Sequence, residues 1–216
     1  MIGSIVSPEL RQRVRGLATP IAVGFGRLGL TPNHLTLIGF GISIVAAVAA
    51  GMQAWLVGGF LLIVGGVFDL FDGALARATG KASKLGAFMD SVFDRAGEAV
   101  VYIGIAAACA AVDFGPGAIL SASAMASAFM VSYVRAKAES LGFTAGTGMA
   151  AVGLAPREVR IVILTLGLLL AGLSGGVAPG NGGRPVLAAA LGLTTVLATI
   201  TTIQRIVHVI RQSPQE

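Results

Sequence analysis

Charge is what this chain has least of. Only 12% of its 216 residues are Asp, Glu, Lys or Arg, about half the share carried by an ordinary soluble domain. So little polar side chain cannot coat a soluble globule of this size, and the bilayer is the expected solvent for much of it. Cysteine is nearly absent too. Cys109 stands alone in an alanine run, which excludes an intrachain disulfide and reads as a small buried hydrophobe. Histidine occurs twice, as His34 and His208, far apart and without a cysteine beside either. That argues against an imidazole or thiolate metal site.

Apolar and small residues take the place of charge. Hydrophobic residues make up 55% of the chain and glycine contributes 31 positions, about twice its usual share of roughly 7%. Small residues let membrane helices approach closely, since lipid tails give large side chains no incentive to pair. The pairs Gly58-Gly59 and Gly65-Gly66 read as such contacts, while Trp55 and Tyr102 suit interface anchoring or packing. Six hydrophobic spans are predicted, at 34–53, 55–76, 86–111, 115–135, 159–178 and 185–208. Each is long enough for a hydrocarbon core of about 30 Å at about 1.5 Å per residue. The breaks fall at Gly51–Trp55, at Asp113–Gly117 and at Gly175–Gly183, all rich in turn formers.

The N-terminal segment is interrupted by Arg11, Arg13, Arg15 and Arg27 and lacks the pattern of a cleavable signal. Ser7 as cap and Pro8 in the first turn start a helix there, expected to lie on the membrane surface. The expected architecture is therefore an all-α integral membrane protein. Residues 1–30 form an amphipathic juxtamembrane helix, and residues 31–212 form a six-helix transmembrane catalytic domain.

The net charge of +5 has an asymmetric distribution. Every basic residue except Arg184 lies on one side, before the first span, flanking an even-numbered connection or at the end of the chain. By the positive-inside rule both termini and those connections are cytosolic, in the plasma membrane. The charge serves topology and phosphate chemistry, and is no nucleic-acid footprint.

Four acidic residues break the apolar pattern: Asp69 and Asp72, then Asp90 and Asp94. A charged group near a bilayer centre costs about 2.5–3.5 kcal/mol on insertion scales and is a functional suspect by default. The i,i+3 and i,i+4 spacings put each pair on one helical face, and a helical hairpin turns the two faces together. Four converging carboxylates need compensating charge. Oxygen ligands without His or Cys suit a hard cation, Mg2+, Mn2+ or Ca2+, better than zinc, and two such ions about 4 Å apart clamp a diphosphate. Arg77 supplies a fork for phosphate oxygens. Gly73 and Gly86 leave room for a nucleotide beside the backbone. A cation pathway, or structural ion pairing with Arg77 and Arg95, would also place aspartates in a membrane. The phosphate fork and the two glycines favour an enzyme.

The pattern D-x2-D-G-x2-A-R-x8-G-x3-D-x3-D, from Asp69 to Asp94, resembles the full signature of the CDP-alcohol phosphotransferase family. The six-span layout with its N-terminal helix resembles that family as well. The resemblance implies displacement of cytidine monophosphate (CMP) from a CDP-linked lipid, CDP-diacylglycerol, by an alcohol hydroxyl, in a homodimer surrounded by membrane lipid. It implies metal ligation by Asp69, Asp72, Asp90 and Asp94, with Asp94 also the base toward the attacking hydroxyl. It implies that Asp69, Gly73 and Arg77 contact the CDP moiety and that Ser83 touches its phosphates. Thr31-Pro32-Asn33-His34-Leu35-Thr36 resembles the family's approach to the first span, placing Pro32, Asn33 and Thr36 against the nucleotide.

The acceptor is read from a second basic group. Arg135 and Lys137 end the fourth span, Arg157 and Arg160 open the fifth, and Arg205 lies near the end of the sixth. Free inositol needs no such cations, whereas an acceptor with its own phosphate does. The run from Ser132 to Gly142 resembles the branch of the family that joins CDP-diacylglycerol to inositol phosphate. Glycerol-3-phosphate is the alternative acceptor, and residues 148–155 depart from the inositol-phosphate branch. Glu98, one turn past Asp94, is expected to hold Arg95 or Arg77.

Overall fold

Proline and hydroxyl caps open the helices that frame the molecule. In the computed structural model, which describes residues 8–143 and 152–212 and side chains from residue 16 onwards, seven helices form and no strand occurs among the described residues. They are α1 (Pro8–Arg27), α2 (Pro32–Gly51), α3 (Trp55–Ala78), α4 (Lys84–Ala111), α5 (Gly115–Ser140), α6 (Arg157–Leu173) and α7 (Gly183–Gln212). At the start of α2, Thr31 Oγ1 accepts from the His34 N–H at 3.2 Å and the Thr31 N–H donates to His34 Nδ1 at 3.4 Å, with Pro32 in the first turn. His34 is thus half of a capping box. The expected Ser7 cap and residues 148–151 lie outside the described residues.

Small residues dictate how the helices meet. A Cβ placed on Gly104 of α4 would stand 2.2 Å from the Ala47 carbonyl oxygen of α2, so the two backbones are in direct contact there and only glycine fits. Around that contact Ala46, Leu62, Val101, Ile105, Leu164 and Leu187 form the main core. Trp55 and Tyr102 are 3% and 1% exposed, which makes both packing residues and not interface anchors. Cys109 is a free thiol buried in the same core. Val57, Phe60 and Ile63 of α3 point outward, as expected where lipid is the solvent.

Four helices are long and apolar enough to cross a membrane: α2, α3, α5 and α7. The other two predicted spans fall short on these criteria for distinct reasons. α4 carries Asp90, Asp94, Arg95 and Glu98 in its first half. α6 has 17 residues, about 26 Å of helix. It stops at Leu173, before the expected residue 178, because Gly175 and Gly176 adopt φ of +87° and +81°, the left-handed region that ends helices. α1 packs Ala18, Ala22 and Phe25 against Phe71, Ala74 and Leu75 of α3 and exposes Leu17 and Ile21.

The connections alternate between two ends of the bundle. At one end lie α2–α3, α4–α5 and α6–α7, the last two tied by Arg184. Its Nε donates to the Val177 carbonyl at 2.8 Å and its Nη2 to the Val112 carbonyl at 2.7 Å, and the guanidinium sits 5.1 Å from the Phe114 ring centroid. At the other end are the last turns of α3 and the first turns of α2, α4 and α6.

Candidate active site

The last turns of α3 and the first turns of α4 bring Asp69, Asp72, Asp90 and Asp94 within electrostatic range of one another. Each is held differently. Asp72 is 5% exposed, and its Oδ2 accepts a 2.7 Å hydrogen bond from Thr36 Oγ1 of α2. Asp69 faces α2 where that helix is bare: a Cβ on Gly39 would stand 3.1 Å from Asp69 Oδ1. Asp69 Oδ2 and Asp94 Oδ1 share one cation, Arg157 Nη1 of α6, at 2.8 and 3.1 Å.

Around this centre the expected nucleotide residues gather. Arg77 folds back over Gly73, where a Cβ would stand 3.1 Å from its Nη1. Arg77 is exposed and none of the ion pairs among the described residues engages it. Its fork is open to a ligand. A Cβ on Gly86 would lie 3.2 Å from both Asn33 Oδ1 and Ser83 Oγ, so the starts of α2 and α4 meet at a bare backbone. Ser83 Oγ caps α4 by accepting the Gly86 N–H at 3.0 Å. Pro32 turns the chain into α2, and Thr36 reaches Asp72.

The five expected acceptor cations separate into three placements. Arg157 enters the acidic centre. Arg135 pairs with Glu139 at 2.9 Å on the exposed end of α5, and Lys137 is exposed one turn from Tyr133. Arg205 is buried, donating through Nε to the Val152 carbonyl at 3.0 Å and through Nη1 to the Val131 carbonyl at 2.7 Å. Arg160 departs from expectation. It is 1% exposed and gives Nε and Nη2 to the two oxygens of Glu98, at 2.9 and 2.7 Å, and Nη1 to the Ala155 carbonyl at 3.0 Å. A guanidinium in so dry a place needs every N–H matched, and Glu98 supplies the match. Glu98 therefore holds Arg160, and neither Arg95 nor Arg77 as expected.

Two residues carry roles that the sequence did not assign. Gly39 admits Asp69. Arg95 donates from Nη1 to the Ser91 carbonyl and hydroxyl and lies within electrostatic range of Arg135, Arg157 and Arg205. These four arginines repel one another, so their neighbourhood favours an anion. The i+1 position of Arg95 after Asp94 was the available signal.

Among the described residues no three acidic or imidazole side chains converge at ligand spacing. The cation between Asp69 and Asp94 is the chain's own Arg157. A guanidinium in that gap is a stand-in: the folded site already requires positive charge between those carboxylates. Oxygen donors in a mutually repelling set suit a hard divalent cation, and the residues fit one.

The chain matches the model of the CDP-alcohol phosphatidyltransferase family over residues 29–210. It is 35% identical over 206 residues to the archaetidylinositol phosphate synthase of Pyrococcus horikoshii, covering 94% of each chain. It is 31% identical over 209 residues to the phosphatidylinositol phosphate synthase of Mycobacteroides abscessus, covering 94% of this chain and 88% of that one. Among solved structures it resembles the phosphatidylinositol phosphate synthase of Mycobacterium tuberculosis with CDP-DAG bound, with a TM-score of 0.77, 29% identity, and coverage of 89% and 92% of the two chains. The same enzyme in complex with manganese and citrate matches with a TM-score of 0.76 and 29% identity, over 89% and 88% of the two chains. The matched span contains the four carboxylates gathered between α3 and α4, and the chain belongs to the CDP-alcohol phosphatidyltransferase family.

Proposed function

We propose that this protein transfers the phosphatidyl group of a CDP-linked lipid, CDP-diacylglycerol, to a hydroxyl of inositol phosphate and releases CMP. The observation that carries the reading is the juxtaposition at one end of the bundle. Four carboxylates lie beside an open Arg77 and border a cluster of arginines made of Arg95, Arg135, Arg157 and Arg205. A cation pathway needs neither the open fork nor the cluster, and family membership sets that reading aside.

In this reading Asp69, Asp72, Asp90 and Asp94 hold divalent cations, Mg2+ or Mn2+, which when bound neutralise the diphosphate and polarise the bond to be broken. The chain's own groups do the rest. Asn33, Gly73, Arg77 and the Ser83–Gly86 turn seat the CDP moiety, and Thr36 holds Asp72 in register. Arg135, Lys137, Arg157 and Arg205, joined by Arg95, orient the acceptor's phosphate, which fixes its hydroxyl near the donor phosphorus. The hydroxyl oxygen bonds to that phosphorus, its proton passes to Asp94, and the phosphorus–oxygen bond to CMP breaks. Arg160 serves the frame that carries Arg157. The active end is cytosolic, where CMP and inositol phosphate are soluble, and α4 and α6 complete six spans with their polar turns facing the site.

The test is CMP release from CDP-diacylglycerol with Mg2+, with inositol phosphate or glycerol-3-phosphate added. Inositol phosphate is expected to drive release. Release driven by glycerol-3-phosphate alone would move the acceptor. Release with an ether-linked CDP-lipid alone would move the donor.

A further inference from the structure

Arg157 stands between two fields of opposite sign. On one side Asp69 and Asp94 accept its Nη1. On the other, Arg95 lies within repelling range of it and of Arg135, and Arg205 within range of Arg135 and Arg95. Its hydrogen bonding is incomplete, since its Nε is buried and has no hydrogen-bond partner. A buried donor left unmatched marks either strain or a partner still to come.

Arg160, three residues along the same helix, shows what a settled arginine looks like here. All three of its guanidinium nitrogens are engaged, by Glu98 and by the Ala155 carbonyl. Glu98 lies one turn past Asp94 on α4, so this pair fastens the start of α6 to α4 beside the acidic centre. The backbone at residue 157 is thereby fixed. Its side chain, 28% exposed, is left as the part free to move.

We propose that Arg157 is a positioning residue that exchanges partners. It neutralises Asp69 and Asp94 while no divalent cation is bound, and turns its guanidinium to the acceptor's phosphate once cations take those carboxylates. The proposal rests on the metal and acceptor assignments above. Its consequence is an order within the site: the arginine that orients the acceptor is withheld until the metal is in place. No bond forms or breaks in the exchange; one ion pair replaces another. Metal and acceptor phosphate then favour each other's binding, by the same factor in both directions.

The test is Mn2+ binding to the full-length protein, followed by the electron paramagnetic resonance of free Mn2+. Wild type, Arg157→Gln and Arg157→Lys are compared with no acceptor, with inositol phosphate and with glycerol-3-phosphate. Arg157→Gln is expected to bind Mn2+ more tightly than wild type, by about 5- to 150-fold, the usual span of a coupling. Arg157→Lys, which keeps the charge, is expected to fall between them. Loss of a nearby charge alone could tighten Mn2+ binding, so the decisive readout is the coupling. Inositol phosphate tightens Mn2+ binding in wild type by a factor in the same span, and the effect disappears in Arg157→Gln. Unchanged or weaker Mn2+ binding by Arg157→Gln, no coupling in wild type with either phosphate, or coupling that survives in Arg157→Gln would each overturn the exchange. Coupling with glycerol-3-phosphate in place of inositol phosphate would uphold the exchange and overturn the acceptor assignment.

Discussion

The two ends of the bundle treat arginine in opposite ways. At the α6–α7 end, Arg184 gives two nitrogens to backbone carbonyls and lays its face on Phe114, joining the α4–α5 and α6–α7 connections. At the α3–α4 end, Arg77 is open, Arg157 carries an unmatched buried nitrogen, and four aspartates repel one another. Membrane-embedded polar groups are costly wherever they occur. The first end satisfies its arginine internally. The second leaves Arg77 and Arg157 open to a ligand, and in the proposed function it is the chemical end. Glu98 and Arg160 sit at the boundary: they lie beside the site but are saturated like Arg184.

The largest effect separating the ends is expected from Asp94→Asn. With Asp94 as the proposed base, its loss lowers CMP release by about 10²-fold or more, while the circular dichroism spectrum stays helical. Next comes Arg160→Met, which strands Glu98 in the core. Removing one partner of a buried pair costs about 3–5 kcal/mol, read as a lowered thermal midpoint in detergent. Replacing both partners together, Glu98→Leu with Arg160→Met, is expected to recover most of that loss, because the neutral pair leaves no charge unmatched. Arg184→Met frees two carbonyls and is expected to cost about 2–3 kcal/mol with little change in the rate per folded molecule. Thr36→Val has the smallest effect. It removes the hydrogen bond to Asp72, worth about 1.5 kcal/mol when one partner is charged, and is seen as a weaker response to Mg2+ with a thermal midpoint lowered less than in Arg184→Met.

The same contrast explains what could be read from the sequence. The aspartates were legible because their spacing is local and each stands out against an apolar background, and Arg77 and Gly73 lie within the same helix. Partners across helices were not legible. Glu98 and Arg160 are separated by 62 positions, and the sequence pointed to Arg95 or Arg77 as partner of that glutamate. Packing chose Arg160 because α6 starts beside α4, a fact that no periodicity encodes. Arg157 was expected to face only the acceptor, since nothing in the spacing shows that α6 delivers it between Asp69 and Asp94. The end of α6 was overestimated because Val177 and Ala178 continue the apolar run past the two left-handed glycines.

One measurement tests most directly whether the unsaturated end is the chemical end. The rate of CMP release per folded molecule is set beside the thermal midpoint for two matched variants, Asp94→Asn and Arg184→Met. Asp94→Asn is predicted to lose the rate with its midpoint unchanged or raised, and Arg184→Met to lose midpoint with its rate retained. The reverse pattern, a stable but inactive Arg184→Met beside an active but unstable Asp94→Asn, would contradict the account.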